Sequence, residues 1–306
     1  MSPRALKVGA FLPHLEGAYE DGTAGWKDLR DIARAAEATG FDSVWVADHL
    51  LYRFPGLEFG TWECWSMVCA VAAVTERVEI GTMVSVTPWR NPGLFAKMID
   101  TADEISGGRI IAGLGAGSHE GEFPAFGFDS WGHKVTRFAE EIEIITTLLR
   151  TGRIDHAGRF HTLKDCLLSP RGPRASGPPI MIGAMGPRML GLVAKYADQW
   201  NIPWVHDLDT VKTQLERGAQ ACRDAGRDES SLSYSVALQI NLPRPAGTSA
   251  GALMEQSRPQ ALTGSPDELA AHLRSYADAG VSHVQLWIDP ATPAAIESFG
   301  EVLEKL

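Results

Sequence analysis

Apolar and polar positions along the chain fall into two alternating rhythms. Short, nearly continuous apolar runs occur at residues 6–13, 42–48, 78–86, 109–115, 178–184, 198–203, 231–240 and 283–289. Between them lie stretches with a period of 3.6, such as 26–40, where Trp26, Leu29, Ile32, Ala33 and Ala36 share one face and Gly40 stands where a helix would end. Similar stretches cover 62–75, 92–108 and 134–152, the second with Pro92 near its start and glycines at its close. The apolar runs leave few polar positions for a solvated face, so they predict parallel strands covered by helices. A count of eight favours closure into a (β/α)8 TIM barrel, with an open doubly wound sheet as the structural rival.

One internal echo supports a repeated strand–helix unit. AEATGFDSVWVAD (residues 36–48) and ADAGVSHVQLWID (residues 277–289) share helix end, glycine, strand and aspartate in the same order. No linker divides the chain, so one domain over 1–306 is expected. Two segments break the rhythm. Residues 153–166 alternate about an Ala-Gly turn, predicting a small hairpin insertion before strand five. Residues 241–264, rich in Pro and Gly, form a long loop after strand seven, on the catalytic face of a barrel, where a lid would sit.

Composition narrows the partners. A chain with 44% hydrophobic and 22% charged residues is soluble and globular in type, and its net charge of -10 with no basic stripe argues against nucleic acid. No apolar run reaches the roughly 18 residues of a membrane span, and the N-terminus passes almost directly into a strand, so a cytoplasmic location without membrane partners is expected. Cys64, Cys69, Cys166 and Cys222 are scattered without CxxC spacing and read as buried free thiols. His156 and His161 flank the hairpin turn without zinc-site spacing, and neither GxSxG nor a P-loop occurs; no metal is expected.

Three strand ends carry the candidate chemistry. FDSVWVADH closes strand two with Asp48 and His49, two ionisable groups that a barrel mouth would leave only partly buried; a cap and a satisfied polar residue are the plain alternative. GLGAGSHEGEF follows strand four. Its glycines Gly113, Gly115 and Gly117 are spaced GxGxG with no helix directly after, which rejects a dinucleotide fingerprint, yet they clear one face for a flat ring, and Ser118, His119 and Glu120 follow. IMIGAMGPRML leads from strand five through Gly183, Ala184, Met185 and Gly186 into a helix at Pro187, offering backbone amides and Arg188 to an anion, or simply an ordinary turn. His14 at the end of strand one either faces the site or is solvated.

In this order VWVADH, IGTMVSVTPWRNP, ISGGRIIAGLGAG, HEGEFPAFGF, RFAEEIEIITTLL and IMIGAMGPRMLGLVAKYADQWN resemble the luciferase-like monooxygenase superfamily, (β/α)8 barrels that bind FMN or the deazaflavin coenzyme F420. The resemblance implies that Asp48 and His49 lie beside the ring, with His49 the candidate proton-transfer group and Asp48 fixing it or touching the ring edge. Met83-Val84 would be a non-proline cis peptide propping the ring from behind. Gly115, Ala116 and Gly117 would follow the ring and ribityl chain, and Ala184, Met185, Gly186 and Arg188 would hold the phosphate. Ser118 stands where some deazaflavin dehydrogenases carry a proton-donating glutamate, which shifts that role to Glu120 or His119. Arg171 and Arg174 are the cations offered to the polyglutamate tail of F420. The implied activity is F420-dependent hydride transfer to or from a small, mostly apolar organic substrate. Tyr52, Phe54, Phe59, Trp62, Phe123, Phe126 and Phe128 are candidates for the substrate pocket. The alternative is an FMN-dependent monooxygenase using oxygen and a separate reductase; a metal-dependent hydrolase built on His14, Asp48, His49 and Asp289 and a non-catalytic flavin-binding relative are the remaining rivals. Relatives dimerise, so a homodimer is expected by analogy.

Overall fold

The computed structural model describes residues 4–19, 22–54, 56–244 and 260–306. Its central sheet contains the eight expected strands: β1 (Lys7–Phe11), β2 (Ser43–Val46), β3 (Glu79–Thr82), β4 (Ile110–Gly115), β5 (Ile180–Gly183), β6 (Gln199–Ile202), β7 (Ser233–Asn241) and β8 (His283–Asp289). Each pairs in parallel with its sequence neighbours, β8 pairs with β1, and β4 pairs with β5, so the sheet closes into a (β/α)8 barrel. Closure follows from the chain itself: strands buried on both faces need helices outside and one another's side chains inside.

Those helices are α1 (Trp26–Thr39), α2 (Cys64–Ala72), α3 (Pro92–Ser106), α4 (Lys134–Thr151), α5 (Pro187–Tyr196), α6 (Leu208–Asp224) and α7 (Pro266–Asp278). In α1 the buried face is Leu29, Ile32, Ala33, Ala35 and Ala36, and the helix ends at Gly40, whose φ of 98° is left-handed. Trp26, expected on that face, is 40% exposed because it opens the first turn, before the helix reaches the barrel wall. Two hydrophobic layers result. The larger lies between strands and helices; the smaller fills the barrel and includes Phe11, Trp45, Ile111, Met181 and Trp287. Each such side chain contributes roughly 1.5–3 kcal/mol by leaving water.

Three local features depart from the pattern. The run at 78–86 does not form one strand: β3 stops at Thr82, the Met83-Val84 peptide is cis, and Ser85–Val86 then pairs with Leu114 and Gly115 of β4. A period of two does not reveal such a break, since the apolar character continues through it. A second antiparallel hairpin, Leu51–Phe54 with Leu57–Gly60, follows β2 where only a loop was expected. The predicted insertion is present as Arg153–Ala157 paired with Thr162–Leu167. Of the loop at 241–264, residues 245–259 lie outside the described residues. The cysteines are free; Cys64 and Cys222 are buried as expected, whereas Cys69 and Cys166 are only partly buried.

The 153–167 hairpin is fastened to α4 by two adjacent carboxyls. Glu140 accepts the N–H groups of Arg159, Phe160 and His161; burial alone would raise its pKa, but these donors and His156 outweigh it and hold the carboxyl below the usual range. Glu141 is fully buried and meets His161 Nε2 at 3.0 Å. Burial pushes Glu141 up to about 8, only partly opposed by Arg137, and burial lowers His161. Both groups are therefore neutral near pH 7, and the contact is a hydrogen bond between a carboxylic acid and an imidazole rather than an ion pair. A folded value above the ordinary 4.5 gives stability that is complete below pH 4.5 and declines as pH rises towards 8, where ionisation of the unfolded chain is favoured. Glu141→Gln is accordingly expected to stabilise the protein at pH 8 by up to about 4 kcal/mol and to have little effect at pH 4. Urea denaturation at the two pH values checks this.

Candidate active site

The carboxyl ends of β2 to β6 open on one cavity of about 550 Å³. His49 follows β2, Met83 and Val84 follow β3, Gly115 to Ser118 close β4, and Gly183 to Gly186 close β5; all of them line it. Residues up to 155 positions apart in the chain, His49 and Trp204, thus border one hollow. Val84 packs directly on the glycines of its neighbours: a Cβ on Gly115 would come within 2.5 Å of Val84 Cγ2, and one on Gly183 within 3.0 Å of Val84 Cγ1. The missing side chains therefore make room for Val84, which forms a smooth apolar wall. At the other end, Met185 and Gly186 precede the ten-residue helix α5, and their N–H groups donate to no protein atom among the described residues.

His49 does not pair with Asp48. Its Nδ1 lies 2.9 Å from Glu122 Oε2, and Glu122 Oε1 accepts the N–H groups of Leu50 (2.6 Å) and Leu51 (3.1 Å). Glu122 begins a single helical turn, Glu122–Ala125, and is buried. Tyr52 covers His49 at 4.2 Å between ring centroids, and burial, reinforced by the Glu122 charge, raises its phenol well above the usual value. Asp48 turns away from the cavity. Its Oδ2 accepts Val86 N–H at 2.8 Å and Arg90 Nη1 at 2.5 Å, while Oδ1 accepts Arg90 Nη2 at 3.0 Å. Burial alone would lower the Arg90 pKa; the Asp48 charge and hydrogen bonds outweigh it and raise it. The Asp289 half of the sequence echo behaves likewise, buried and paired with Arg244.

Other expectations are corrected. Glu120 is exposed and does not line the cavity, because the chain turns outward after Ser118. His119 accepts Arg53 N–H and packs on the 51–60 hairpin. Arg188 points to Thr136 Oγ1 at 3.0 Å; the cation on the cavity wall is Lys134 instead. Lys134 Nζ donates to Gly117 O at 2.8 Å and stands 3.4 Å over the Trp131 ring; burial lowers its pKa, opposed by Glu120. Arg174 is bound to Asp103 and to the carbonyl of Ile110 at the amino end of β4, and Arg171 to Leu149 O, so neither is near the cavity mouth. His14 is buried between the carbonyls of Leu12 and Ala47, and burial lowers its pKa. Among the described residues no group of three or more His, Cys, Asp or Glu is placed to hold a metal. The aromatic residues expected around the substrate pack beside the cavity, Phe123 against Trp89 and Trp131 and Tyr52 against Phe59. The aromatic on the wall is Trp204, whose φ is 53° and whose ring stacks on Phe11 at 5.7 Å.

Glu122, Lys134, Asn201 and Trp204 escaped the sequence reading. HEGEF carries two glutamates, and only the fold shows that the second one reaches a histidine 73 residues away.

A closed barrel with a single-walled slot, free main-chain donors and a histidine at its strand ends defines a (β/α)8 enzyme whose chemistry sits on the carboxyl face. The chain belongs to the luciferase-like monooxygenase family, whose sequence profile matches residues 6–244. It is 28% identical over 302 residues to an F420-dependent glucose-6-phosphate dehydrogenase of Amycolatopsis mediterranei, covering 85% of this chain and 88% of that one. It is 31% identical over 214 residues to a 5,10-methylenetetrahydromethanopterin reductase of Archaeoglobus fulgidus, covering 68% of this chain and 60% of the reductase. An F420-dependent secondary alcohol dehydrogenase, in complex with an F420-acetone adduct, superposes with a TM-score of 0.82 at 19% identity over 99% of both chains.

Proposed function

We propose that this protein is an F420-dependent oxidoreductase that transfers hydride to or from a small, mostly apolar organic substrate. The observation that carries the reading is the slot itself: a wall of Val84, seated on Gly115 and Gly183, faces a cavity that also contains His49. Its volume and the smooth apolar face of that wall fit a flat tricyclic ring, and the free N–H groups of Met185 and Gly186 at the start of α5 fit its phosphate. The likeness to the Amycolatopsis dehydrogenase supports a deazaflavin over FMN.

When bound there, the deazaflavin supplies or accepts a hydride at C5. The chain supplies the rest. Val84 and the 115–117 backbone would hold the ring, and Lys134 would add a cation beside Gly117. His49 exchanges the proton that accompanies each hydride, since its ring lines the cavity and an imidazole can both accept and give a proton. The 51–60 hairpin and Tyr52 shield that proton from bulk water. Arg90 and Asp48 hold the segment carrying His49 and Val86 and do not touch substrate.

Titrating the purified protein with F420 and, separately, with FMN tests the reading. Binding of F420 at least tenfold tighter than FMN, with substrate reduction or oxidation in the absence of oxygen, is expected. Tight FMN binding with oxygen-dependent turnover would replace it by a monooxygenase supplied by a separate reductase.

A further inference from the structure

We propose that Glu122 is a positioning residue that selects the tautomer of His49, keeping Nδ1 protonated so that Nε2 is a bare acceptor at the cavity. This rests on the reading of His49 as the proton-transfer group. Oε1 of Glu122 receives two main-chain N–H groups, from Leu50 at 2.6 Å and Leu51 at 3.1 Å, so that oxygen can only accept. The second oxygen faces His49 Nδ1 at 2.9 Å. Two main-chain donors on one oxygen favour the ionised carboxylate, and in that form it has no proton to give, so Nδ1 must carry one. A neutral imidazole has one N–H, and Nε2 is then left with its lone pair. Among the described residues no protein group is bonded to Nε2, and His49 lines the cavity.

The surroundings fix this arrangement. Glu122 is 1% exposed, and its carboxyl is anchored by the two amides independently of the histidine. The Tyr52 ring, 4.2 Å from the imidazole, restricts rotation of His49 about its own axis. Glu122 also joins two segments that flank the site, the turn after β4 and the hairpin after β2, so the proton acceptor and its cover are placed by one side chain.

The same hydrogen bonds define a discriminating variant. In Glu122→Gln the amide oxygen must stay with the Leu50 and Leu51 N–H groups, because turning the –NH2 towards them would set donors against donors in a buried place. The –NH2 then faces His49 Nδ1, which has to become the acceptor. The proton moves to Nε2, and the acceptor at the cavity becomes a donor with almost no change of shape.

The experiment is nitrogen-15 NMR of histidine-labelled, cofactor-free protein at pH 8, with His49 assigned by its loss in His49→Gln. The expected result is protonated Nδ1 and bare Nε2 in the wild type, and the reverse in Glu122→Gln. A wild-type His49 with its proton on Nε2, or the same tautomer in both proteins, overturns the proposal; if the variant does not fold, the wild-type spectrum alone still decides. This readout needs no cofactor, so its failure is distinct from failure of the F420 reading. With F420 and a turned-over substrate, Glu122→Gln should lower kcat on the order of 10⁴-fold, as a wrong tautomer does in another carboxylate–histidine pair, while the Kd for F420 stays within threefold. An unchanged kcat would also count against it.

Discussion

Arg90→Met is expected to destabilise the protein by ~3–5 kcal/mol, because it leaves the Asp48 carboxylate buried without its counter-charge. The Asp48 side chain has no solvent exposure and that of Arg90 has 13%, so water cannot replace the guanidinium. Two of the carboxylate's three hydrogen bonds come from Arg90, and Val86 N–H supplies the third. The ion pair need not itself stabilise the fold relative to an apolar pair, since desolvation offsets much of its attraction. The double variant Asp48→Asn with Arg90→Met should therefore recover most of the loss: asparagine keeps the Val86 bond and carries no charge. Chemical denaturation of the two single variants and the double one measures this, and additive losses would show that the cost lies elsewhere.

Gly115→Ala and Gly113→Ala are expected to fail in different ways although the two residues share a strand. A Cβ on Gly113 would stand 1.7 Å from the Thr82 carbonyl oxygen and 2.9 Å from Met181 Cε. That oxygen belongs to the β3 backbone, held in the sheet, so the barrel cannot close around an alanine and no soluble folded protein is expected. A Cβ on Gly115 meets the Val84 Cγ2 methyl at 2.5 Å, a side chain rather than backbone. Val84 can give way only by leaning into the cavity it lines. Overpacking of this kind costs about 1–3 kcal/mol. Gly115→Ala should therefore keep the native near-ultraviolet circular dichroism spectrum and weaken F420 binding by roughly 10- to 100-fold. Native affinity in a folded Gly115→Ala protein would remove Val84 from the ring-binding wall.

The (β/α)8 barrel was legible in the sequence because its signal is local and repeated. Eight apolar runs at strand length, separated by amphipathic stretches, leave little choice of architecture once both faces of the sheet must be covered. The cavity's main-chain walls were legible for a related reason. Glycines at 115, 117 and 183 line the cavity and mark where side chains are excluded, and exclusion is written at the position itself.

Polar pairing was decided only by tertiary structure. Asp48 and His49 are neighbours in sequence and were expected to act as a pair, but successive residues at the end of a strand point to opposite faces. One therefore meets Arg90 behind the strand, and the other meets Glu122 at the cavity. Lys134 and Arg188 present the same charge, and nothing local says which one reaches the wall. Burial, alternation and backbone freedom are properties of a segment and can be read along the chain. The partner of a buried charge is set by which distant loops the closed barrel brings to one end, and that exists only once the whole circuit of strands is complete.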